Sequence, residues 1–134
     1  MEVQMELSRI IITETSDQQI IVLKEKFGER SFPIVIGINE AFAIDRRIKG
    51  ITTPRPLTHD LMGSLIERLA GQLEKIVIYD LRDHTFFAKL IIRKNGELIE
   101  VDSRPSDAIA LGAGTEAPIF VEESVLRDVS GTNP

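Results

Sequence analysis

Two short segments of this chain carry residue types that can hold a phosphate group and move a proton. Residues 55–60 read Arg-Pro-Leu-Thr-His-Asp, and residues 103–107 read Ser-Arg-Pro-Ser-Asp. Each segment stands directly before a run with helical character, and a helix start offers free backbone N–H groups and a partial positive charge. Arginine adds a planar fork of donors that fits phosphate, and aspartate or histidine can take a proton or bind a metal. The same residue types are also good helix starts.

The carboxylates of these segments favour metal-assisted chemistry if they converge. Asp102 and Asp107 flank Arg104, and Asp60 with Arg55 can supply a second side. Phosphodiester cleavage assisted by Mg²⁺ or Mn²⁺ needs two or more carboxylates around the ion and a nearby cation to hold the phosphate. The alternative is that these acidic and hydroxyl side chains only stabilise first helical turns, by about 1 kcal/mol each.

The two histidines differ in their prospects. His59 lies in the first turn of a predicted helix, where the dipole favours the neutral imidazole that acts as a base or a metal ligand. His84 lies in a predicted hairpin turn, where we expect an exposed residue without a catalytic task. Ser103 and Ser106 are not part of a Gly-x-Ser-x-Gly elbow, so a serine hydrolase is disfavoured.

Composition narrows the classes of function. The net charge of −5 argues against strong nonspecific binding to nucleic acid, although a local basic groove around residues 46–55 stays open. The absence of cysteine excludes disulfides, thiolate zinc sites and a cysteine nucleophile. The chain has neither an apolar run of membrane-spanning length nor the features of a signal peptide. We therefore expect a cytoplasmic protein that does not associate with a membrane.

The elements that must position these residues alternate between strands and helices. The apolar patterns predict an α+β fold with a largely antiparallel sheet of meanders and hairpins and three main helices packed on it. One domain is expected over residues 1–128, with a disordered tail over 129–134. The predicted strands are 5–13, 19–26, 32–37, 75–81, 85–94, 97–102 and 118–121; the helices are 39–49, 58–70 and 105–111, with a helical turn over 122–128.

Local signals support two of these elements most clearly. Leu61, Leu65 and Leu69 recur at four-residue spacing, joined by Met62 and Ile66, which predicts an amphipathic helix that begins at Thr58. Asn95 and Gly96 form the strongest two-residue hairpin signal in the chain.

The order of these segments resembles the bifunctional nuclease (BFN) domain family. The resemblance extends from about Met5 to Leu126 and depends on five motifs in order. These motifs are Phe32–Gly37 followed by Glu40 and Ala41, Arg55–Asp60, Asp80–Asp83 with Thr85–Ala88, Val101–Leu111, and Ala117–Val121. The turn at Asp83 and His84 departs from the family, which commonly has glycine there.

The resemblance implies an α+β fold and nuclease chemistry, because plant members are credited with DNase and RNase activity. It also makes self-association an expectation, with a dimer favoured. On this basis, Arg55 and Arg104 are expected to hold phosphate, and Ser103 and Ser106 are counted with them as substrate-binding residues.

The remaining roles also follow from the resemblance. Asp60, Asp102 and Asp107 are expected to bind a divalent cation, Mg²⁺ or Mn²⁺. His59, Asp60 and Asp107 are the expected catalytic residues, with His59 as the general base that activates water or as a further metal ligand. Two other functions stay open: a non-catalytic module that binds a nucleotide or another anionic ligand, and a homo-oligomeric assembly protein.

Overall fold

The computed structural model describes residues 1–129 and forms one sheet with helices packed on it. The described strands are β1 (Glu2–Ile11), β2 (Gln18–Glu25), β3 (Ser31–Gly37), β4 (Gln72–Arg82), β5 (Thr85–Lys94), β6 (Glu97–Ser103) and β7 (Ile119–Glu122). The described helices are α1 (Ile38–Lys49), α2 (Thr58–Arg68), α3 (Pro105–Ala113) and α4 (Glu123–Val129). The α+β class and every predicted strand are therefore confirmed.

One part of the predicted architecture is wrong, because residues 1–129 contain four helices and not three main ones. The segment expected to be a helical turn is the complete helix α4. Its Val125 and Leu126 are buried in the core, and burial of this apolar pair stabilises a helix that is too short to form by itself. Val129, assigned in advance to a disordered tail, ends α4 and packs against the core. The rest of that predicted tail, residues 130–134, lies outside the described residues.

The seven strands form a single sheet in the order β3-β2-β1-β7-β4-β5-β6. Neighbouring strands are antiparallel except β4 and β7, which run parallel. Both tight hairpins turn on residues in the left-handed region: φ is 49° at Asp83 and 65° at His84, and 53° at Asn95 and 80° at Gly96. Two successive positive φ values match the twist of the flanking strands, which is why these turns set the register of β4, β5 and β6.

The core lies between the sheet and the helices that cover one of its faces. α3 packs against α1, α2, β4 and β5 and is the central helix of this layer. Phe32 of β3 and Phe86 of β5 stack with their ring centroids 5.5 Å apart, although four strands separate β3 from β5 in the sheet. The sheet therefore curves strongly enough to bring its edge strand β3 towards the β4–β5 turn.

Helix α2 confirms the predicted segment but turns an unexpected side to the core. His59 is buried, and Met62 and Ile66 pack against the core on the same side. The leucines at 61, 65 and 69 are half-exposed. The two apolar flanks adjoin on one helix, so their spacing alone does not tell which of them faces α3.

No helix within residues 1–129 is both long enough and apolar enough to cross a membrane.

Replacing Phe32 by alanine tests the curvature of the sheet. The side chain is fully buried and bridges two distant strands, so we expect Phe32→Ala to lower the free energy of unfolding by about 3–5 kcal/mol. Val35→Ala, on the same strand but exposed, is the matched control and should cost less than about 1 kcal/mol. Urea unfolding measures both. Equal losses would contradict the bridging role of Phe32.

Candidate functional site

The starts of α2 and α3 meet through a histidine–carboxylate pair. Nε2 of His59 lies 3.0 Å from Oδ1 of Asp107, although 48 residues separate the two in the chain. The imidazole is buried, and the carboxylate is partly buried at the first turn of α3. The two segments predicted from the sequence to carry chemistry therefore lie side by side.

Arg104 holds the other oxygen of the same carboxylate. Its Nε donates to Oδ2 of Asp107 at 2.9 Å, and its Nη2 lies 3.4 Å from Oε2 of Glu40 in α1. The guanidinium thus links α1 to α3. The pKa of Arg104 is raised, chiefly by its hydrogen bond to Asp107.

Asp107 is ionised despite its partial burial. Burial opposes its charge, but the hydrogen bonds from Arg104 and His59 outweigh this effect and lower the pKa of the carboxyl below its ordinary value. An ionised carboxylate only accepts hydrogen bonds, so Nε2 of His59 must carry the shared hydrogen. In the neutral imidazole, Nδ1 then keeps its lone pair. Within residues 1–129, Nδ1 has no hydrogen-bond partner.

This pair borders a cleft of about 480 Å³, which we call the histidine cleft. Its lining combines two arginines, two acids and several neutral polar groups. The lining residues are Asn39, Glu40, Ala43, Arg46, Pro56, Leu57, Thr58, His59, Arg104 and Asp107. Arg46 is the unpaired cation of this lining, since its guanidinium has no hydrogen bond or ion pair among the described residues.

The sequence interpretation did not select Arg46 or Glu40 as site residues. Arg46 belongs to the basic last turn of α1, and such residues usually serve only the helix dipole. The available signal was the basic groove around residues 46–55, which includes Arg46.

Arg47, the second arginine of the pair, holds three helices together. Its Nε donates to the carbonyl oxygen of Ala110 at 2.5 Å and its Nη2 to that of Leu111 at 3.2 Å, near the end of α3. Its Nη1 forms an ion pair with Oδ1 of Asp60 in α2. Gly114 makes room for this guanidinium, because a Cβ at that position would overlap it.

Asp60 therefore has a structural role at the start of α2. Its Oδ2 accepts a hydrogen bond from the backbone N–H of Leu57 at 2.9 Å, which caps the start of α2, and its Oδ1 is bound to Arg47. Asp60 is not part of the lining of the histidine cleft. The helix thus directs His59 towards Asp107 and directs the next residue towards Arg47.

The structure places two other predicted residues away from the His59–Asp107 pair. Arg55 is exposed, is not part of the lining, and its guanidinium has no partner within residues 1–129. Asp102 accepts a hydrogen bond from the hydroxyl of Tyr79 at 2.9 Å and pairs in register with Lys89. Because Ala88, the next residue along β5, faces the helices, Asp102 lies on the opposite face of the sheet.

The two predicted serines, Ser103 and Ser106, lie on either side of Arg104 in the chain. Ser103 donates from Oγ to the carbonyl oxygen of Arg104 at 2.8 Å, so its hydroxyl is used inside the loop. Ser106 is buried at the start of α3 and lines a second cleft on the other side of Arg104.

The expected three-carboxylate metal centre does not fit this arrangement. Asp60 is bound to Arg47, Asp102 lies on the far face of the sheet, and Asp107 is held by Arg104 and His59. Among residues 1–129, no group of three or more histidine and acidic side chains is placed to hold one metal ion. The structure therefore brings together His59, Asp107 and Arg104 and adds Arg46 and Glu40.

Adjacent arginines allow a matched test of stability. We expect Arg47→Met to lower the free energy of unfolding by about 2–3 kcal/mol, because Asp60 loses its cation and two helix-end carbonyls lose their donors. Arg46→Met removes the same charge without breaking a contact and should change the stability by less than about 0.5 kcal/mol. Chemical denaturation measures both. Similar losses in the two variants would contradict the assignment.

The lowered pKa of Asp107 predicts a dependence of stability on pH. The ordinary value is 3.8, so the unfolded state takes up the proton first as the pH falls. The stabilisation from the ionised carboxylate is complete above that value and is lost as the pH falls through the lower folded value. Wild type should exceed Asp107→Asn in unfolding free energy by about 1–3 kcal/mol at pH 7. The gap should shrink below pH ~4. A difference in unfolding free energy that stays constant from pH 7 to below pH ~4 would contradict the lowered pKa of Asp107.

Comparisons with known proteins identify the family of this chain. Residues 21–133 match the bifunctional nuclease domain. An uncharacterized protein of Mycobacterium tuberculosis is 43% identical over 117 residues, which are 87% of this chain and 70% of that protein. Bifunctional nucleases 1 and 2 of Oryza sativa subsp. japonica are 24% and 27% identical over 118 residues, 85% of this chain. This chain spans about a third of their length (36%). Because the match covers most of its residues, the chain belongs to the bifunctional nuclease domain family.

Proposed function

We propose that this protein is a nuclease that hydrolyses phosphodiester bonds of DNA or RNA in the histidine cleft, with little sequence preference. The observation that carries the proposal is the His59–Asp107 pair beside the unpaired Arg46 in one cleft. The family and the names of the plant relatives support the reaction class. A cytoplasmic location is part of the same proposal.

In this mechanism His59 is the general base. Its Nδ1 lone pair takes a proton from water, and the water oxygen attacks the phosphorus as the bond to the leaving oxygen breaks. Asp107 fixes the tautomer by accepting the Nε2 hydrogen, and its negative charge stabilises the imidazolium that forms. Arg104 in turn holds the carboxylate in place.

Arg46 supplies the charge that holds the phosphate. The molecule as a whole is negative, so attraction of a nucleic acid has to be local. Arg46 has all its donors available in the cleft, whereas Arg104 shares its donors with Asp107 and Glu40. We therefore assign the main phosphate contact to Arg46 and a supporting one to Arg104.

Dependence on Mg²⁺ or Mn²⁺ stays a prediction from the sequence. Asp107 is the only one of the three proposed carboxylate ligands that borders the histidine cleft, so no step of the mechanism passes through a metal. Assays with and without EDTA test the cation directly. Activity that survives EDTA and is lost in His59→Ala would favour the histidine base alone.

The second candidate is non-catalytic binding of a nucleotide or another anion in the same cleft. It is favoured by a lining with free donors: Asn39, Thr58 and Arg46 have no side-chain partners within the described chain. A ligand that prefers the native state raises the melting temperature. Recovery of a stabilising nucleotide unchanged, together with no hydrolysis of longer substrates, would favour binding over catalysis.

Substitutions in the cleft test the nuclease. We expect His59→Ala and Asp107→Asn to lower kcat by about 10²–10⁴-fold, the usual contribution of a general base. Arg46→Met should raise KM by about tenfold, in line with the loss of one phosphate contact of about 1–2 kcal/mol. Cleavage of a labelled oligonucleotide measures these effects.

The matched control is Arg93→Met, which removes one positive charge far from the cleft. Arg93 is paired with Glu74 at the opposite end of β5 from Phe86. Its activity should equal that of wild type. If His59→Ala cleaves as fast as wild type, a contaminating nuclease explains the activity.

A further inference from the structure

A second cleft of about 490 Å³ lies on the other side of Arg104 from the histidine cleft. Its walls are the edge strand β3, the β4–β5 turn and the start of α3. Its lining residues are Asp17, Gln18, Pro33, Ile34, Val35, Ile36, Gly37, His84, Thr85, Phe86, Arg104, Pro105 and Ser106. Arg104 belongs to both clefts, so one extended ligand can reach from one into the other.

The start of α3 in this cleft is uncapped. Arg104 is the N-cap residue and makes no side-chain cap hydrogen bond, and Pro105 has no N–H. The first bond of the helix runs from the N–H of Ala108 to the carbonyl of Arg104 at 3.1 Å. The N–H groups of Ser106 and Asp107 precede it and have no acceptor among the described residues.

The Ser106 side chain is a second, independent sign of a ligand. Its residue is only 6% exposed, yet its hydroxyl has no hydrogen-bond partner within residues 1–129. A buried hydroxyl without a hydrogen-bond partner is unfavourable, and natural structures rarely contain one. A ligand oxygen that enters the cleft would satisfy it.

We propose that the start of α3 is a second phosphate subsite. The N–H group and the hydroxyl of Ser106 and the Arg104 guanidinium form the donor set in the cleft, and His84 also lines it. The free N–H group of Asp107 is the next one along α3. The exposed Asp17 is the one acidic side chain of the lining. The proposal builds on the nuclease function and names its substrate class: a nucleic-acid strand that places neighbouring phosphates in both clefts.

Inorganic phosphate tests the subsite without any need for catalysis. In NMR spectra of the full chain, phosphate should shift the amide signals of Ser106 and Asp107. Ser106→Ala should weaken phosphate binding about fivefold, in line with the loss of one hydrogen bond of about 1 kcal/mol. Ser64→Ala, on the exposed side of α2, is the control and should leave the affinity unchanged. Circular dichroism and the melting temperature check the folding of both variants.

The outcomes separate the subsite from the nuclease. Shifts confined to other amides, or equal affinities in the two serine variants, would overturn the subsite even if the protein cleaves nucleic acid. Phosphate binding at Ser106 in a protein that cleaves nothing would uphold the subsite and reject the nuclease. Weak shifts spread over the basic surface would mean an adventitious ion only and would also overturn it.

A different surface carries a separate inference about self-association. Leu61, Leu65 and Leu69 of α2 are 52%, 51% and 64% exposed, and Ile99 and Val101 of β6 are 42% and 40% exposed. We call these five residues the leucine face. The end of α2 borders β6 on this side of the sheet, because a Cβ at Gly71, just after α2, would lie 3.0 Å from Ile92, and Ile92 pairs in register with Ile99. None of the described helices packs closely on β6.

The exposed area is the amount that a stable dimer needs. With about 200 Å² for a fully exposed large aliphatic residue, the leucine face offers about 500 Å² of apolar surface. A standard interface buries about 800 Å² per partner, of which a little over half is apolar. Isolated exposed leucines are ordinary, but several exposed apolar side chains that border one region are typical of an interaction surface.

Charges at the border of this patch complement one another. Arg68 lies next to Leu65 on the helix surface, and Glu97 lies two residues before Ile99 on the same side of β6. Neither charge has a partner within the described chain. A two-fold interface brings each patch against itself and can match a cation of one copy with an anion of the other.

We infer that a second copy of this chain covers the leucine face and forms a two-fold dimer. Leu65→Glu should convert the dimer to a monomer in sedimentation experiments at tens of micromolar, whereas Phe27→Glu, in the exposed β2–β3 turn, should leave the dimer intact. A wild-type monomer at that concentration, or a dimer that persists in Leu65→Glu, would overturn the inference.

A charge exchange tests the orientation of the two copies. Arg68→Glu should weaken the dimer about tenfold, because like charges then meet across the interface. The double variant Arg68→Glu with Glu97→Arg should restore the affinity, since the pair is only reversed. Failure of the double variant to recover would overturn the two-fold arrangement.

Discussion

The arrangement of the helices depends on the guanidinium of Arg47. This planar side chain belongs to α1 and binds two carbonyls near the end of α3 and the capping carboxylate of α2. Apolar contacts between helices resist sliding poorly because they are not directional. A fork with fixed geometry specifies both the rotation and the register of its partners. The histidine cleft exists because these three helices have one relative position.

The same constraint separates structural from chemical roles among neighbouring residues. Arg46 and Arg47 differ by one position, as do His59 and Asp60, and in each pair one side chain fixes the helix while the other faces the cleft. The ion pair between Arg47 and Asp60 sets the direction of α2, and this direction brings His59 to Asp107. A group that transfers protons needs such a support, because small displacements of a base cost much of its effect.

Much of the fold was predictable because it follows from local chemistry. The hairpin turn at Asn95 and Gly96, the alternation along the strands and the helix starts depend on neighbours in the chain. Local patterns explain the two Arg-Pro segments only as helix starts; the family resemblance, and not a local pattern, implied that they share one site. The contact between His59 and Asp107 brings the two segments together.

The remaining features depend on contacts between distant residues. β7 enters the sheet between β1 and β4, and no local pattern specifies that position. Side chains along β6 alternate between the two faces of the sheet, and this alternation places Asp102 on the face away from the site. A register shift of one residue would reverse it. The exposed flank of α2 and the free charge of Arg46 are likewise known only once α3 is in place.

The central position of β1 bears on where this domain begins. The family match starts at residue 21, within β2, and therefore leaves out β1. In the sheet, β1 lies between β2 and β7 and joins the two-stranded part β3-β2 to the four-stranded part β7-β4-β5-β6. A fragment cut to the recognisable region would expose two new edges with unpaired backbone groups, which attract other chains. Removal of β1 would therefore separate the two parts of the sheet, although the family match does not include this strand.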